Sequence, residues 1–331
     1  MLSHQPLLIL KGRAGLGNRL LCVLGGILYA QLTQRKLLVD WRDGVYSDGV
    51  DNAFYQLMSL IDVDQAESIP VSRSVYPTVW KTYLDKTVYV VSEYCAQKEL
   101  PSAKELMQLP QAVNFTKLDY SEEVLVHWSF SSNINQLRRH FRDKLAQFEN
   151  QTNLEVLSHI LKSHIQVDSG IIADVDQFVQ AKFFRRMIGV HVRYTDRKVE
   201  LKPYLKSIDR LMISDPDAGI FLATDNAIVE KIFYDRYSNK IVTSEKWLPS
   251  PSSDSLGIHF NSDAPSKLQV ARQAMIDICL LSRCSSLVFN SVSTFGVIAL
   301  LMSTLDSSQV FDLSKYTPTG FLKHLARHQT I

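Results

Sequence analysis

Ile188-Gly189-Val190-His191-Val192-Arg193-Tyr194-Thr195-Asp196 is an apolar run that stops abruptly on a polar cluster. Ile188 to Val192 reads as a short buried strand, and a parallel strand presents ligand-binding side chains where it ends and its loop begins. That puts His191, Arg193, Thr195 and Asp196 at the mouth of a pocket. The planar fork of donors on Arg193 suits a phosphate or a carboxylate, and the neighbouring His, Thr and Asp can read a base or a sugar.

Beyond this strand the chain keeps alternating. Residues 187–192 read as strand, 204–212 as helix, 219–223 as strand, 226–236 as helix and 240–243 as strand. A Pro/Ser-rich loop at 248–256 follows, then helix 267–282, strand 286–289 and helix 294–303. Repeated βα units of this length predict a doubly wound, mostly parallel, Rossmann-like sheet. The first half opens with strand 7–10, a glycine-rich turn at 11–19, a helix from about 20 to 34 and strand 37–41, a βαβ unit. Residues 87–92 and 124–127 are further strand candidates. Ile134, Leu137, Phe141, Leu145 and Phe148 fall at steps of three and four, which predicts a helix over 133–148 with Arg138, Arg139, Arg142 and Lys144 largely on its solvated face. A helix at 154–165 and a turn at Asp168-Ser169-Gly170 complete this half.

A chain of 331 residues exceeds one ordinary core and predicts two domains of about 150 residues each. The boundary falls near 150–172, giving an α/β domain over 1–165 and a second over 166–331. Hydrophobic content of 46% with 21% charged residues suits a globular protein with full cores. Thirty-six basic against thirty-four acidic residues leave +2, too little to steer a polyanion, so no nucleic-acid partner is expected. The N-terminus has no basic region before its apolar stretch, and the apolar segment 276–305 is broken by Asp277, Arg283 and Asn290, so neither a signal peptide nor a membrane span is expected. Cys22, Cys95, Cys279 and Cys284 lack the paired spacing of a zinc site and read as reduced, mostly buried thiols, which points to the cytoplasm. On that reading the glycosylation patterns at Asn114 and Asn150 carry no meaning.

Four further segments carry chemistry. Gly12-Arg13-Ala14-Gly15-Leu16-Gly17 has its glycines at spacings of three and two, reversed from the dinucleotide fingerprint, so it does not predict NAD. Gly15 and Gly17 still allow backbone to approach a ligand at a helix N-terminus, with Asn18 and Arg19 projecting into the cleft; the alternative is a tight turn with a capping Asn. Phe221-Leu222-Ala223-Thr224-Asp225-Asn226 ends a second strand on polar groups, which serve either a ligand or the helix cap. Asp277 lies in an otherwise apolar helix and needs donors: the two adjacent N–H groups of a guanine, or an internal salt bridge. Ser291-Val292-Ser293-Thr294 opens a helix where hydroxyls and backbone N–H groups converge on an anion, or where Ser293 is an ordinary cap.

In this order the pieces resemble the fucosyltransferases that use GDP-fucose, especially the α1,6-fucosyltransferases of the nodulation-factor (NodZ) and core N-glycan type. His191-Val192-Arg193-Tyr194-Thr195-Asp196 matches that family's H-V-R-x-T-D, supported by Ala223-Thr224-Asp225 and by Asp277 through Ser293. Asp40-Trp41-Arg42 and Asn52-Ala53-Phe54 look like the nodulation enzymes' D-W-R and N-A-F segments. The resemblance implies a two-domain GT-B glycosyltransferase with an acceptor-side domain over 1–165 and a GDP-sugar domain over 166–331. It implies that His191 and Asp277 hold the guanine, Arg193 the β-phosphate, and Ser293 with its neighbours Ser291 and Thr294 the diphosphate. Asp225 would sit beside the donor or support the loop, with Thr224 next to it, and Glu200 is the candidate acceptor base. Tyr194 stands where the core-fucosylating enzymes carry a second arginine, and Val292 where they carry a serine. The implied reaction is metal-independent, inverting transfer to an oligosaccharide or glycoconjugate. Alternatives are another GDP-sugar or linkage, or a nucleotide-sugar or carbohydrate-binding protein without turnover.

Overall fold

The computed structural model describes residues 5–97, 113–195, 198–249, 264 and 266–316. The chain divides into one unit ending at Gln166 and a second beginning at Val167.

In the first unit Leu7–Lys11 (β1) leads through the glycine turn into Leu16–Thr33 (α1) and Lys36–Asp40 (β2). Ala53–Leu57 (α2), Met58–Leu60 (β3), Val75–Tyr76 (β4), Val88–Gln97 (α3) and Val124–His127 (β5) follow. Ile134–Leu137 (α4), Asn153–His164 (α5) and Ile165–Val167 (β6) lead to the boundary. The main sheet has the order β2-β1-β5-β4, every pair parallel. The central β1 and the neighbouring β2 are both buried on both faces, which is why Leu7-Leu8-Ile9-Leu10 and Leu37-Leu38-Val39 read as unbroken apolar runs.

The second unit runs Ser169–Lys182 (α6), Met187–Val192 (β7), Lys202–Ser214 (α7), Gly219–Thr224 (β8), Ala227–Tyr237 (α8) and Ile241–Val242 (β9). Lys267–Ser282 (α9), Ser286–Phe289 (β10), Thr294–Met302 (α10) and Val310–Asp312 (β11) complete it. The sheet is β11-β10-β7-β8-β9, all parallel. Side chains alternate across it: Ile188, Val190, Val192, Ile220 and Leu222 pack with Tyr204 and Ile208 of α7 and Val229 and Phe233 of α8. On the other face Phe221 meets Phe178 of α6, and His191 meets Phe295 of α10. Helices on both faces make this the doubly wound sheet that the alternation predicts.

Four expectations are corrected. Residues 87–92 are not a strand but the start of α3. Val88 and Val91, three apart, bury together in the core beneath Leu84, so helical spacing overrides the strand preference of a Val-rich run. Thr87 starts the helix, its hydroxyl accepting from Val90 N–H at 3.2 Å. The helix predicted over 133–148 is broken into α4 and two single 3₁₀ turns: Leu145, at φ −130° and ψ 43°, leaves helical backbone, and the Arg138 guanidinium bonds the Asn153 side chain and the Gln151 carbonyl. Its apolar residues are nonetheless buried as the spacing requires. The turn at 168–170 is the start of α6, with the Asp168 carboxylate accepting from Ile171 N–H at 3.1 Å. Lastly, α1 begins at Leu16 rather than residue 20, capped by Gly15 without a side-chain bond.

Among the described residues no helix is long and apolar enough to cross a membrane. Cys22, Cys279 and Cys284 are free, buried thiols; the Cys95 side chain and residues 250–256 of the Pro/Ser-rich loop lie outside the described residues.

Candidate functional site

The register of the second sheet sets out its polar edge. Val192 pairs with Thr224, Val190 with Val288, and Phe289 with Asp312. The chain therefore leaves β7, β8 and β10 on one edge, with Arg193, Asp225 and Asn290 as the first residues beyond the strands, and the carboxyl edge of a parallel sheet is where ligands bind. Asp225 holds the loop after β7: its Oδ1 accepts from Tyr194 N–H at 2.7 Å and Thr195 N–H at 3.2 Å, and its carbonyl accepts from the Thr195 hydroxyl at 2.9 Å. Burial raises the Asp225 carboxyl above its usual range, against the pull of these donors and of Arg193. Of the two roles open to Asp225, supporting the loop is the one formed. The cap of α8 falls instead to Asn226, whose Oδ1 accepts from Ile228 and Val229 N–H at 3.0 and 3.3 Å.

His191, Arg193, Val199, Val292 and Ser293 line a cleft at this edge with about 320 Å³ of free space, solvent included. Tyr204 and Asn290 line it too; Tyr204 is hidden in the sequence among the apolar positions of its helix, whereas Asn290 is legible as the residue that ends a strand. The His191 ring is 6% exposed and stacks on Phe295 with centroids 4.8 Å apart and planes 18° from parallel. Glycine at 296 permits that approach, since a Cβ there would come within 2.7 Å of Phe289 and 3.2 Å of His191 Nδ1. Burial, reinforced by Arg193 and Lys246, pushes the imidazole down to about 3, so it stays neutral near pH 7. Its Nδ1 has no protein partner, nor have the buried hydroxyls of Thr224 and Ser293. Ser293 stands at the N-cap of α10 without making a side-chain cap bond. A buried polar atom without a partner costs about 1–3 kcal/mol. Two of them, His191 Nδ1 and Ser293 Oγ, belong to residues that line the cleft and are explained by a ligand that completes them.

Several predicted donor contacts serve the fold instead. The Tyr194 side chain packs against the apolar core of the unit, and the Thr195 hydroxyl is used by Asp225. Ser291 donates its N–H to Asp312 Oδ1 at 3.0 Å, and its hydroxyl lies 2.9 Å from that of Ser314, tying it to β11. Thr294 opens α10 half-buried. Glu200 is exposed and is not among the residues that line the cleft. Asp196 lies outside the described residues. Asp277 is 4% exposed, and of its two alternatives the internal salt bridge is present: Lys246 Nζ lies 2.8 Å from Oδ2, and the Ser244 hydroxyl bonds to Oδ1. Lys246 carries no motif; it is brought in from the stretch after β9, a pairing across the fold that spacing cannot reveal.

The corresponding edge of the first unit is differently built. Gly15 caps α1, with Gly17 and Asn18 in its first turn. Arg19 does not project into a cleft; it is buried, its guanidinium held by both Asp43 oxygens at 2.5 and 3.2 Å and by the Ala14 carbonyl at 2.8 Å. Trp41 and Tyr46 cover it at 5.6 and 4.9 Å. Gly12 is explained by the same group, since a Cβ there would come within 2.2 Å of Arg19 Nη1. Beside it Lys11 Nζ donates to Asp40 Oδ2 and to the Leu84 carbonyl, both at 2.6 Å, and Arg42 Nε donates to Asp40 Oδ1 at 2.8 Å. Burial pushes Asp40 up, but the Arg42 hydrogen bond and the Lys11 charge outweigh it and hold the carboxyl below its usual range.

No protein-family model matches the chain, and no curated protein matches it in sequence. Among solved structures it is similar to NodZ α1,6-fucosyltransferase soaked with GDP-fucose, at 21% identity and a TM-score of 0.59, over 92% of this chain and 97% of that one. It is similar to a mutant of Arabidopsis thaliana FUT1 in complex with GDP, at 16% identity and a TM-score of 0.58, over 91% of this chain and 69% of that one. POFUT1 in complex with GDP-fucose matches at 13% identity and a TM-score of 0.51, over 94% of this chain and 98% of that one. The architecture is GT-B-like, the fold of these fucosyltransferases.

Proposed function

We propose that this chain is a glycosyltransferase that moves fucose from GDP-fucose to a hydroxyl of an oligosaccharide or glycoconjugate, inverting the anomeric centre and forming an α1,6-type linkage. The observation that carries the reading is the cleft of the second unit, where Arg193, neutral His191 and the unpartnered Ser293 hydroxyl meet at a helix N-terminus. It occurs in a fold whose similar structures were solved with GDP-fucose or GDP. In this reading Arg193 and the N–H groups opening α10 hold the diphosphate, and His191 and Asp277 hold the guanine. The acceptor oxygen bonds to fucose C1 as the bond from C1 to the β-phosphate oxygen breaks. GDP leaves with the electron pair, and the hydroxyl proton passes to a base or to water.

Charge grows on the β-phosphate along this path, so a cation fixed beforehand stabilises the transition state more than the bound donor. The guanidinium and the helix N-terminus supply that stabilisation, which makes the proposed reaction metal-independent. The proposal places it in the cytoplasm, a compartment that keeps thiols such as the free Cys22, Cys279 and Cys284 reduced.

The test is transfer of labelled GDP-fucose to a panel of saccharides in the presence of EDTA. Arg193→Ala and Arg193→Lys should each lower turnover by about 10²–10³-fold, because an ammonium cannot reproduce a two-pronged contact. Both should keep a ligand-free melting temperature near that of the parent. Equal affinity for GDP and UDP, or a variant that melts early but retains its turnover per folded molecule, overturns the reading. Loss of activity in EDTA with rescue by manganese overturns its metal-independent part.

A further inference from the structure

We infer that Lys246 is a latch on the base-reading carboxylate: guanine, with two adjacent N–H donors, displaces Lys246 and Ser244 from Asp277 and hands the ammonium to Glu230. The inference rests on the proposal that Asp277 reads guanine, and it adds how the site is closed and which bases can open it.

Both oxygens of Asp277 already have a donor, Ser244 on Oδ1 and Lys246 on Oδ2, and the two charged side chains are 6% and 7% exposed. A buried ion pair of this kind is not broken by removing one partner without compensation, since the remaining charge is left in a poor solvent. Any base that takes the carboxylate must therefore bring donors of its own, and the displaced ammonium needs a second anion. Guanine alone among the common bases offers two neighbouring N–H groups on one edge, matched to two carboxylate oxygens. Adenine sets an acceptor beside its amino group and uracil flanks one N–H with two carbonyls, so neither replaces both donors.

The second anion is present. Glu230 lies in the first turn of α8, half-buried; burial raises its carboxyl, the Lys246 charge draws it down and the Asp277 charge pushes it up, which places it beside the pair. His191 experiences Lys246 as well, so the ammonium sits within the field of the cleft rather than at a remote structural pair. A latch closed in about nine molecules of ten lowers the apparent affinity of the open site about tenfold.

Calorimetry of GDP, ADP and UDP against the full chain tests this, with Lys246→Met, Glu230→Gln and the double variant. Lys246→Met should tighten GDP about tenfold while lowering the ligand-free melting temperature, and should leave ADP and UDP unimproved. Glu230→Gln should weaken GDP by a similar factor at a near-parental melting temperature. In the double variant the Glu230→Gln effect should vanish, because no ammonium is left to receive. Weaker or unchanged GDP binding in Lys246→Met, an equal gain by ADP, or a Glu230→Gln effect that persists in the double variant overturns the latch. Asp277→Asn separates the two layers: if it leaves GDP affinity intact, the guanine reading itself fails and the latch with it. If it abolishes GDP binding while Lys246→Met does not tighten it, only the latch fails.

Discussion

The two parallel sheets of this chain end in opposite ways. At the carboxyl edge of the first, Lys11, Arg19, Asp40, Arg42 and Asp43 are closed on one another in ion pairs. At the same edge of the second, His191 Nδ1, Thr224 Oγ1 and Ser293 Oγ are buried with no partner. His127 Nδ1 and Trp128 Nε1, where β5 ends, are unpartnered as well, so the contrast lies in the charged groups: the first edge spends them on holding the fold, and the second leaves His191 and Ser293 facing an open cleft. Fold is shared between the two, and function is decided by which polar groups are left over.

The largest expected effect belongs to the closed edge. Arg19→Met leaves Asp43 as an unpaired buried carboxylate, and removing one partner of a buried pair costs about 3–5 kcal/mol. Urea denaturation should show a lower midpoint with an unchanged slope, the reverse of the stable but inactive Arg193 variants. If Arg19→Met keeps its stability and loses GDP binding instead, the first edge is not closed and the contrast between the sheets collapses.

A smaller effect compares one histidine from each unit. His127 and His191 are both pushed down to about 3 by burial, foremost by loss of water around the ring. Folded, each stays neutral; unfolded, each takes a proton once the pH drops below its ordinary value of 6.5. Stability is therefore full above pH 6.5 and is lost as the pH falls from there towards 3, at about 1.4 kcal/mol per pH unit for each histidine. Urea titrations at pH 7.5 and 5.5 read the loss, and His127→Asn should remove about half of it. A variant with the parental pH dependence would show that His127 is not one of the groups responsible.

How much of this was legible depended on range. The βα alternation of the second half was readable because each apolar run ends on its own polar residue, and Arg193, Asp225 and Ser293 could be found one segment at a time. Roles were harder. Asp225 and Asn226 differ by one position, yet one holds a neighbouring loop and the other caps a helix, a division decided by the register of β7 against β8. The Arg19–Asp43 and Lys246–Asp277 pairs join residues 24 and 31 positions apart. No local period encodes either pair, so Arg19 reads as a ligand contact and Lys246 reads as nothing. The Val-rich start of α3 shows the same limit: strand preference is local, and burial of Val88 with Val91 is not.

The smallest effects are the most discriminating, because they should differ in sign between the two units. In the first, the Ser129 hydroxyl is used, lying 3.3 Å from Asn133 Oδ1 and accepting from Ser131 N–H at 3.1 Å. Ser129→Ala should cost about 1 kcal/mol, the ordinary value of a made hydrogen bond. In the second, Thr224→Val replaces an unpartnered buried hydroxyl by a methyl group of the same shape, and should stabilise the ligand-free protein by about 1 kcal/mol. Ser293→Ala should likewise escape the usual N-cap loss of about 1 kcal/mol, since its hydroxyl makes no cap bond. Saturating GDP should reverse the order for Ser293→Ala, stabilising the parent more than the variant, because the Ser293 hydroxyl lines the cleft and finds its partner only when the cleft is filled. Thermal melts with and without GDP read all of this. If Thr224→Val and Ser293→Ala destabilise the empty protein as Ser129→Ala does, their hydroxyls are satisfied within the fold, and the second edge is as closed as the first.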